Sequence, residues 1–162
     1  MAAFRRISLG RGLFAVIDAK DWPVVQSFTW HGHFSKKWYA RTTERSSRRK
    51  IYLHRLLMGE PENQVDHRNG DGLDCRRRNL RLATNSENSY NMRRRAGSSR
   101  FKGVTARKTV KGMKWIAQIK VNYKHSYLGI FNTEEEAAAG YDSAARLHFG
   151  EFAWLNTERE IK

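Results

Sequence analysis

Through the first third of the chain, short apolar-rich runs of strand length are separated by turn residues. Residues 6–9, 13–18, 24–30 and 37–43 carry this pattern, and they are separated by Gly10 to Gly12, the Asp21-Trp22-Pro23 turn and Gly32. Short apolar runs punctuated in this way predict a hairpin-rich β segment, with Trp30, Trp38 and Tyr39 expected either in its core or in its packing onto the next module. Residues 51–58 change from strand-like to helix-like before Gly59 and Pro61 stop them. Val65-Asp66-His67 then ends a strand and Asn69-Gly70-Asp71-Gly72 makes a tight turn, since Asn-Gly and Asp-Gly supply the positive φ it needs. Leu80-Arg81-Leu82-Ala83 is the returning strand, and a helix opens at Ser86. The middle of the chain is therefore predicted as a β-turn-β-α unit.

The last third predicts three strands and one helix. Strands are expected at residues 101–108, 114–121 and 125–131. In the second, Trp115, Ala117, Ile119 and Val121 share one face while Gln118 and Lys120 lie on the other. Thr133-Glu134-Glu135-Glu136 forms a capping box, with three acids at the positive end of the helix dipole. Ala137, Ala138, Tyr141, Ala144, Ala145 and His148 make a stripe of mostly small residues that lets the helix lie close on a sheet, and Gly150 stops it. Trp115 and Phe131 are expected in the core.

The fold class that follows is α+β. Four segments are expected: a β-rich region over 1–50, a ββα core over 51–91, a basic linker over 92–99, and a three-stranded antiparallel sheet packed on one helix over 100–157.

Charge narrows the function. The 162 residues carry 31 Lys and Arg against 16 Asp and Glu, a net charge of +15, which favours a polyanionic partner. The basic residues sit in several segments between apolar strands and form no basic amphipathic helix, so nucleic acid is favoured over a membrane surface. No apolar run approaches the roughly 18 residues of a spanning helix, and residues 1–6 lack a signal-peptide apolar region; the expectation is a soluble, intracellular protein. The single cysteine, Cys75, excludes an intrachain disulfide and a CxxC zinc module. With no HxxxH pair either, a hard, oxygen-ligated ion is the better expectation for any metal.

The β-turn-β-α unit concentrates the candidate chemistry. Asp66 and Asn88 can offer oxygen atoms to one divalent cation, His67 can take a proton from an attacking water, and the Asn79 amide can hold the loop and the imidazole. Those are the needs of phosphodiester hydrolysis. A polar turn whose Asp and Asn side chains merely cap backbone groups explains the same residues, and the residues alone leave both readings open. Arg76, Arg77, Arg78 and Arg81 are either a solvated charged loop or, beside a phosphate-cleaving site, backbone contacts. Arg93 and Arg94 in the hinge are placed to track a DNA backbone.

At these residues the chain resembles a known family. Val65-Asp66-His67, then Asn79-Leu80-Arg81, then Asn88 is similar to the HNH (ββα-metal) endonucleases of the phage and mobile-element homing type. The resemblance implies His67 as general base, Asp66 and Asn88 as metal ligands, and Asn79 as the central loop-fixing residue. The segment around His54-Arg55-Leu56 resembles the helix preceding this motif. Cys75 is a departure, because family members often carry a second Asn there.

The C-terminal third resembles the plant Apetala-two/ethylene-response-factor DNA-binding domain. The resemblance runs through Phe101-Lys102-Gly103-Val104, Trp115-Ile116-Ala117-Gln118-Ile119, Tyr127-Leu128-Gly129-Ile130-Phe131, Thr133 to Ala138, Tyr141 to Ala145 and Leu155-Asn156. By position it implies that Lys102, Thr105, Arg107, Gln118, Lys120, His125 and Tyr127 face DNA. Thr105 and His125 stand where that family has arginines and Tyr127 where it has a tryptophan, so its sequence preference does not carry over, since Thr cannot make a bidentate contact to guanine.

Together these expectations describe a metal-dependent HNH DNA endonuclease using one divalent cation, magnesium first and manganese second. Its partner is double-stranded DNA, with no membrane and no small-molecule substrate; monomer and homodimer stay open. The rival is a DNA-binding regulator that keeps the fold without the chemistry.

Overall fold

The computed structural model describes residues 3–92 and 97–158, in two compact units, Met1–Asn85 and Ser86–Lys162. It is an α+β protein of small antiparallel sheets and short helices. Arg93 and Arg94 lie outside the described residues.

In the first unit, β1 (Phe4–Ser8) and β2 (Phe14–Asp18) form a hairpin. A 3-10 turn (Ala19–Asp21) leads into α1 (Trp22–Val25). β3 (His31–Phe34), β4 (Trp38–Thr43) and β5 (Lys50–Tyr52) form a three-stranded sheet. After α2 (Leu53–Leu57) come the paired strands β6 (Gln64–His67) and β7 (Leu80–Ala83).

Three sequence expectations are corrected here. Residues 24–30 are not a strand: Pro23 in the first turn of α1 presets helical φ, and the chain leaves that helix for a loop. Trp30 is buried, its Nε1 donating to the Val25 carbonyl at 3.0 Å, but Trp38 is 45% exposed and meets Phe34 edge-on at 5.3 Å. Nor does a boundary fall at residue 50. Ile7, Ala15, Ile17 and Trp30 share one core with Leu53, Leu57, Val65, Cys75 and Leu80, because a pair of four-residue strands cannot bury enough apolar surface by itself.

The loop between β6 and β7 is docked on β2. The Val16 amide donates to the Leu73 carbonyl and the Cys75 amide to the Val16 carbonyl, both at 2.8 Å, around an isolated parallel bridge between Val16 and Asp74. Gly72 makes a second close approach: a Cβ there would overlap the Trp38 carbonyl and press on the Tyr39 ring.

α3 (Asn85–Tyr90) starts at the division between the units. The second unit's sheet has the order β10 (Lys124–Phe131), β9 (Gly112–Val121), β8 (Val104–Thr109), and α4 (Glu134–Phe149) packs on it. The capping box forms as the sequence predicts, with Glu136 N donating to Thr133 Oγ1 at 3.1 Å and Thr133 N to Glu136 Oε2 at 3.2 Å. Ala137, Ala138, Tyr141 and Ala145 are buried under the helix, while His148 is exposed and Phe149 completes the stripe. Trp115 and Phe131 are half-buried against that core. Gly103, at φ +76°, lies directly against Tyr141 where a Cβ would overlap the ring. Asp142 is buried and fastens the C-terminal segment, accepting from Asn156 N at 2.8 Å and Thr157 N at 2.9 Å. No described helix is long and apolar enough to cross a membrane.

Candidate functional site

The β6–β7 register sets His67 opposite Leu80 and Asp66 opposite Arg81. His67 is 1% exposed. Its ring meets His54 edge-on at 4.9 Å and lies 6.0 Å from the Tyr39 ring, and its Nε2 is 3.9 Å from Cys75 Sγ. Burial, then the His54 and Lys37 charges, push its pKa well below the ordinary 6.5. The shift favours the neutral imidazole at pH 7. Cys75 lies in the same pocket, and burial pushes its thiol pKa up.

Asp66, 2% exposed, is gripped by Arg81, whose Nε and Nη2 donate to Oδ2 at 2.9 and 2.7 Å. Arg81 is itself buried, so its expected role as a phosphate contact is corrected: burying its charge requires the carboxylate partner. Arg76 forks onto Asp74 at 2.7 and 2.6 Å. Arg77 donates from Nε to Asp21 Oδ1 at 2.9 Å while its backbone amide donates to Asp18 Oδ2 at 2.8 Å. The loop arginines thus hold the loop and tie it to the end of β2. Arg78 differs, being exposed with no ion pair among the described residues.

Asn79 is the buried pin of this loop. Its Nδ2 donates to the Asp74 carbonyl at 2.7 Å and to Asn69 Oδ1 at 3.0 Å, and its Oδ1 accepts the Asn69 amide at 3.0 Å. Asn88 is half-buried on α3, in the other unit. Among the described residues no group of three or more His, Cys, Asp or Glu side chains could hold a metal ion. The Asp66 carboxylate by itself is a hard oxygen donor, of the type that a magnesium-like ion takes beside water and phosphate oxygens.

Three neighbours of His67 come from outside the ββα motif. Tyr39 and Lys37 come from the β3–β4 hairpin, far away in sequence, and Lys37 Nζ donates to the Gly70 carbonyl at 3.2 Å. His54, at the start of α2, is 8% exposed, and its Nδ1 has no hydrogen-bond partner among the described residues. Burial first, then Arg55 and Lys37, lower its pKa to about 4. Its nearness to the motif helix was the only signal available in sequence.

On the C-terminal sheet, the register gathers most of the expected face. Tyr127 pairs with Gln118, His125 with Lys120, Arg107 with Lys114 and Thr105 with Ile116; Thr105, Arg107, Gln118, Lys120, His125 and Tyr127 are all exposed. Lys102 departs from the set, because it is half-buried with its Nζ donating to the Tyr90 carbonyl at 2.6 Å. Lys114, Ile116 and Ile130 join the face unpredicted. The alternation along β9 held a signal for the first two, but Ile130 is there because the register shifts between Tyr127 and Gly129.

Comparison with known proteins agrees with this arrangement. Residues 52–90 match the family model described as HNH endonuclease. The chain is 32% identical over 160 residues to the uncharacterized HNH endonuclease L560 of Acanthamoeba polyphaga mimivirus, covering 94% of this chain and 80% of that protein. The chain belongs to the HNH endonuclease family. Partial likeness also runs to the plant AP2/ERF and B3 domain-containing transcription repressor TEM1 of Arabidopsis thaliana, 38% identical over 68 residues, 42% of this chain and 18% of that one. APETALA2-like protein 2 of Oryza sativa is 44% identical over 62 residues, 38% of this chain and 14% of that one. No solved structure gives a significant match.

Proposed function

We propose that this endonuclease hydrolyses phosphodiester bonds of double-stranded DNA with His67 as general base, and that its C-terminal sheet binds the DNA. The observation that carries the reading is the pairing of a neutral His67 with an Arg81-braced Asp66 at the end of β6. A neutral imidazole accepts a proton without first losing one. It is a weak base, however, and draws a proton effectively only from an acidified water.

HNH nucleases generally use a divalent metal; Asp66 and, on the sequence pattern, Asn88 would hold it, magnesium first, and it would supply acidification of water and neutralisation of phosphate charge. Arg81 orients the Asp66 carboxylate, Asn79 fixes the loop that backs the imidazole, and the exposed Arg78 would meet the DNA backbone. The likeness to AP2-type plant proteins supports DNA binding by the C-terminal sheet, and the mimivirus relative supports a viral setting.

The test is cleavage of viral, phage and host DNA by the full chain with magnesium, with manganese and with EDTA, beside His67→Ala. Cutting that needs the ion and is lost in the variant is expected. Tight, site-specific binding with no cutting in any metal would overturn the reading in favour of a regulator that binds without cleaving.

A further inference from the structure

Across the middle of the open sheet face runs a single apolar row. Thr105 on β8 is opposite Ile116 on β9, and Ile116 is opposite Ile130 on β10. Ile130 is 48% exposed and Thr105 is also exposed, with the half-buried Ile116 between them. Polar and basic rows flank this one: Arg107 with Lys114 on one side, Gln118 with Tyr127 and then Lys120 with His125 on the other. The three strands contain no Asp or Glu.

An acid-free face with cations at both ends and methyl groups at its centre complements the floor of a DNA major groove between two phosphate walls. Same-face residues along a strand repeat every ~6.8 Å, about two base-pair steps, so the apolar row would lie over one or two base pairs. At that row no side chain can make a bidentate contact to guanine O6 and N7, and the two isoleucines can neither donate nor accept a hydrogen bond. The base-edge group that apolar side chains recognise is the thymine C5-methyl.

We infer that the row Thr105–Ile116–Ile130 reads thymine methyl groups in the major groove and gives the C-terminal sheet a preference for A·T pairs at the centre of its site. The inference rests on the proposed DNA-binding role of the sheet. The neighbouring cations would anchor phosphates without discriminating sequence, while the row would discriminate without adding charge.

The full chain, kept in EDTA, is used to select duplexes from a randomised pool. In the preferred duplex each thymine of the footprint is then replaced in turn by deoxyuridine, which removes only the methyl group. Affinity is expected to fall about fourfold at one or two central positions, the worth of one buried methyl, with no change elsewhere. The double variant Ile116→Ala with Ile130→Ala should bind the thymine and uracil duplexes equally. Thr105→Ser, which takes one methyl from an exposed position and leaves the core intact, should reduce the difference. Indifference of the wild type to every uracil replacement would overturn the inference. If Lys114→Ala with Lys120→Ala still weakened binding, the sheet would remain the DNA-binding surface; if those variants also bound normally, the sheet would not be the interface, and both readings would fall.

Discussion

Arg81 and Asp66 face each other across the β6–β7 register, two guanidinium nitrogens lying 2.9 and 2.7 Å from one carboxylate oxygen, and both residues are buried. An Arg in the motif of a nuclease invites a phosphate-binding role, but this one, on β7, points its guanidinium into a buried fork onto Asp66. Removing it takes the bidentate guanidinium away from a carboxylate that is 2% exposed. Arg81→Met should therefore cost about 3–5 kcal/mol of stability in urea unfolding. Arg81→Lys, which keeps the charge but not the fork, should cost less and still lower cleavage at saturating metal. An unchanged unfolding midpoint in Arg81→Met would refute the pairing.

Arg77 and Arg78 are adjacent and should separate cleanly. Arg77 ties the loop to Asp21 through a side chain that is partly exposed. Arg77→Ala is expected to cost about 1 kcal/mol, the low end for a charged hydrogen bond weakened by solvent. Arg78→Ala should leave stability alone and lower the salt dependence of DNA binding by about one in the log–log slope, as loss of one phosphate contact does. Salt titrations of both variants by fluorescence anisotropy check this; a flattened slope in Arg77→Ala alone would reverse the assignment.

Acid should destabilise the first unit. The His54 pKa is lowered from 6.5 in the ordinary state to about 4 in the fold, so between those values the unfolded chain binds more protons. Stability then rises with pH: the contribution is complete above 6.5 and is lost as pH falls toward 4, by up to about 3 kcal/mol for this group. His67, lowered in the same direction, adds to the loss. Denaturant unfolding at pH 7.5 and 4.5 should show the decline, and His54→Phe should blunt it. An equal decline in that variant would point to other groups.

Cys75 should be chemically silent in the folded protein. It is buried and its thiol pKa is raised, by burial first and then by Asp74 and Asp71, so the reactive thiolate is scarce. A thiol reagent at pH 8 should label it slowly in buffer and rapidly in urea. Fast labelling of the native chain would show that the His67 pocket opens readily.

The sequence by itself determined the local elements and most of the chemistry. Turn glycines and asparagines, the Thr133 capping box and the β9 alternation are local rules, and the structure obeys them because nothing distant competes. His67, Asn79 and Asp66 were legible because residue type and spacing carry their meaning within one short unit. Residues 24–30 were misread because a proline in the first turn outweighed an apolar run of strand length.

What only the tertiary structure decided was partnership. The sequence shows a row of arginines, but which of them meets a carboxylate depends on Asp18 and Asp21 arriving from the opposite end of the unit and on the register that sets Arg81 across from Asp66. The same holds for Tyr39, Lys37 and His54 around His67. On the C-terminal sheet, a one-residue register shift after Tyr127 turns Ile130 to the open face. Side chains alternate with a period of two, so one extra residue reverses the face of everything that follows, and no local pattern announces where the partner strand will permit it.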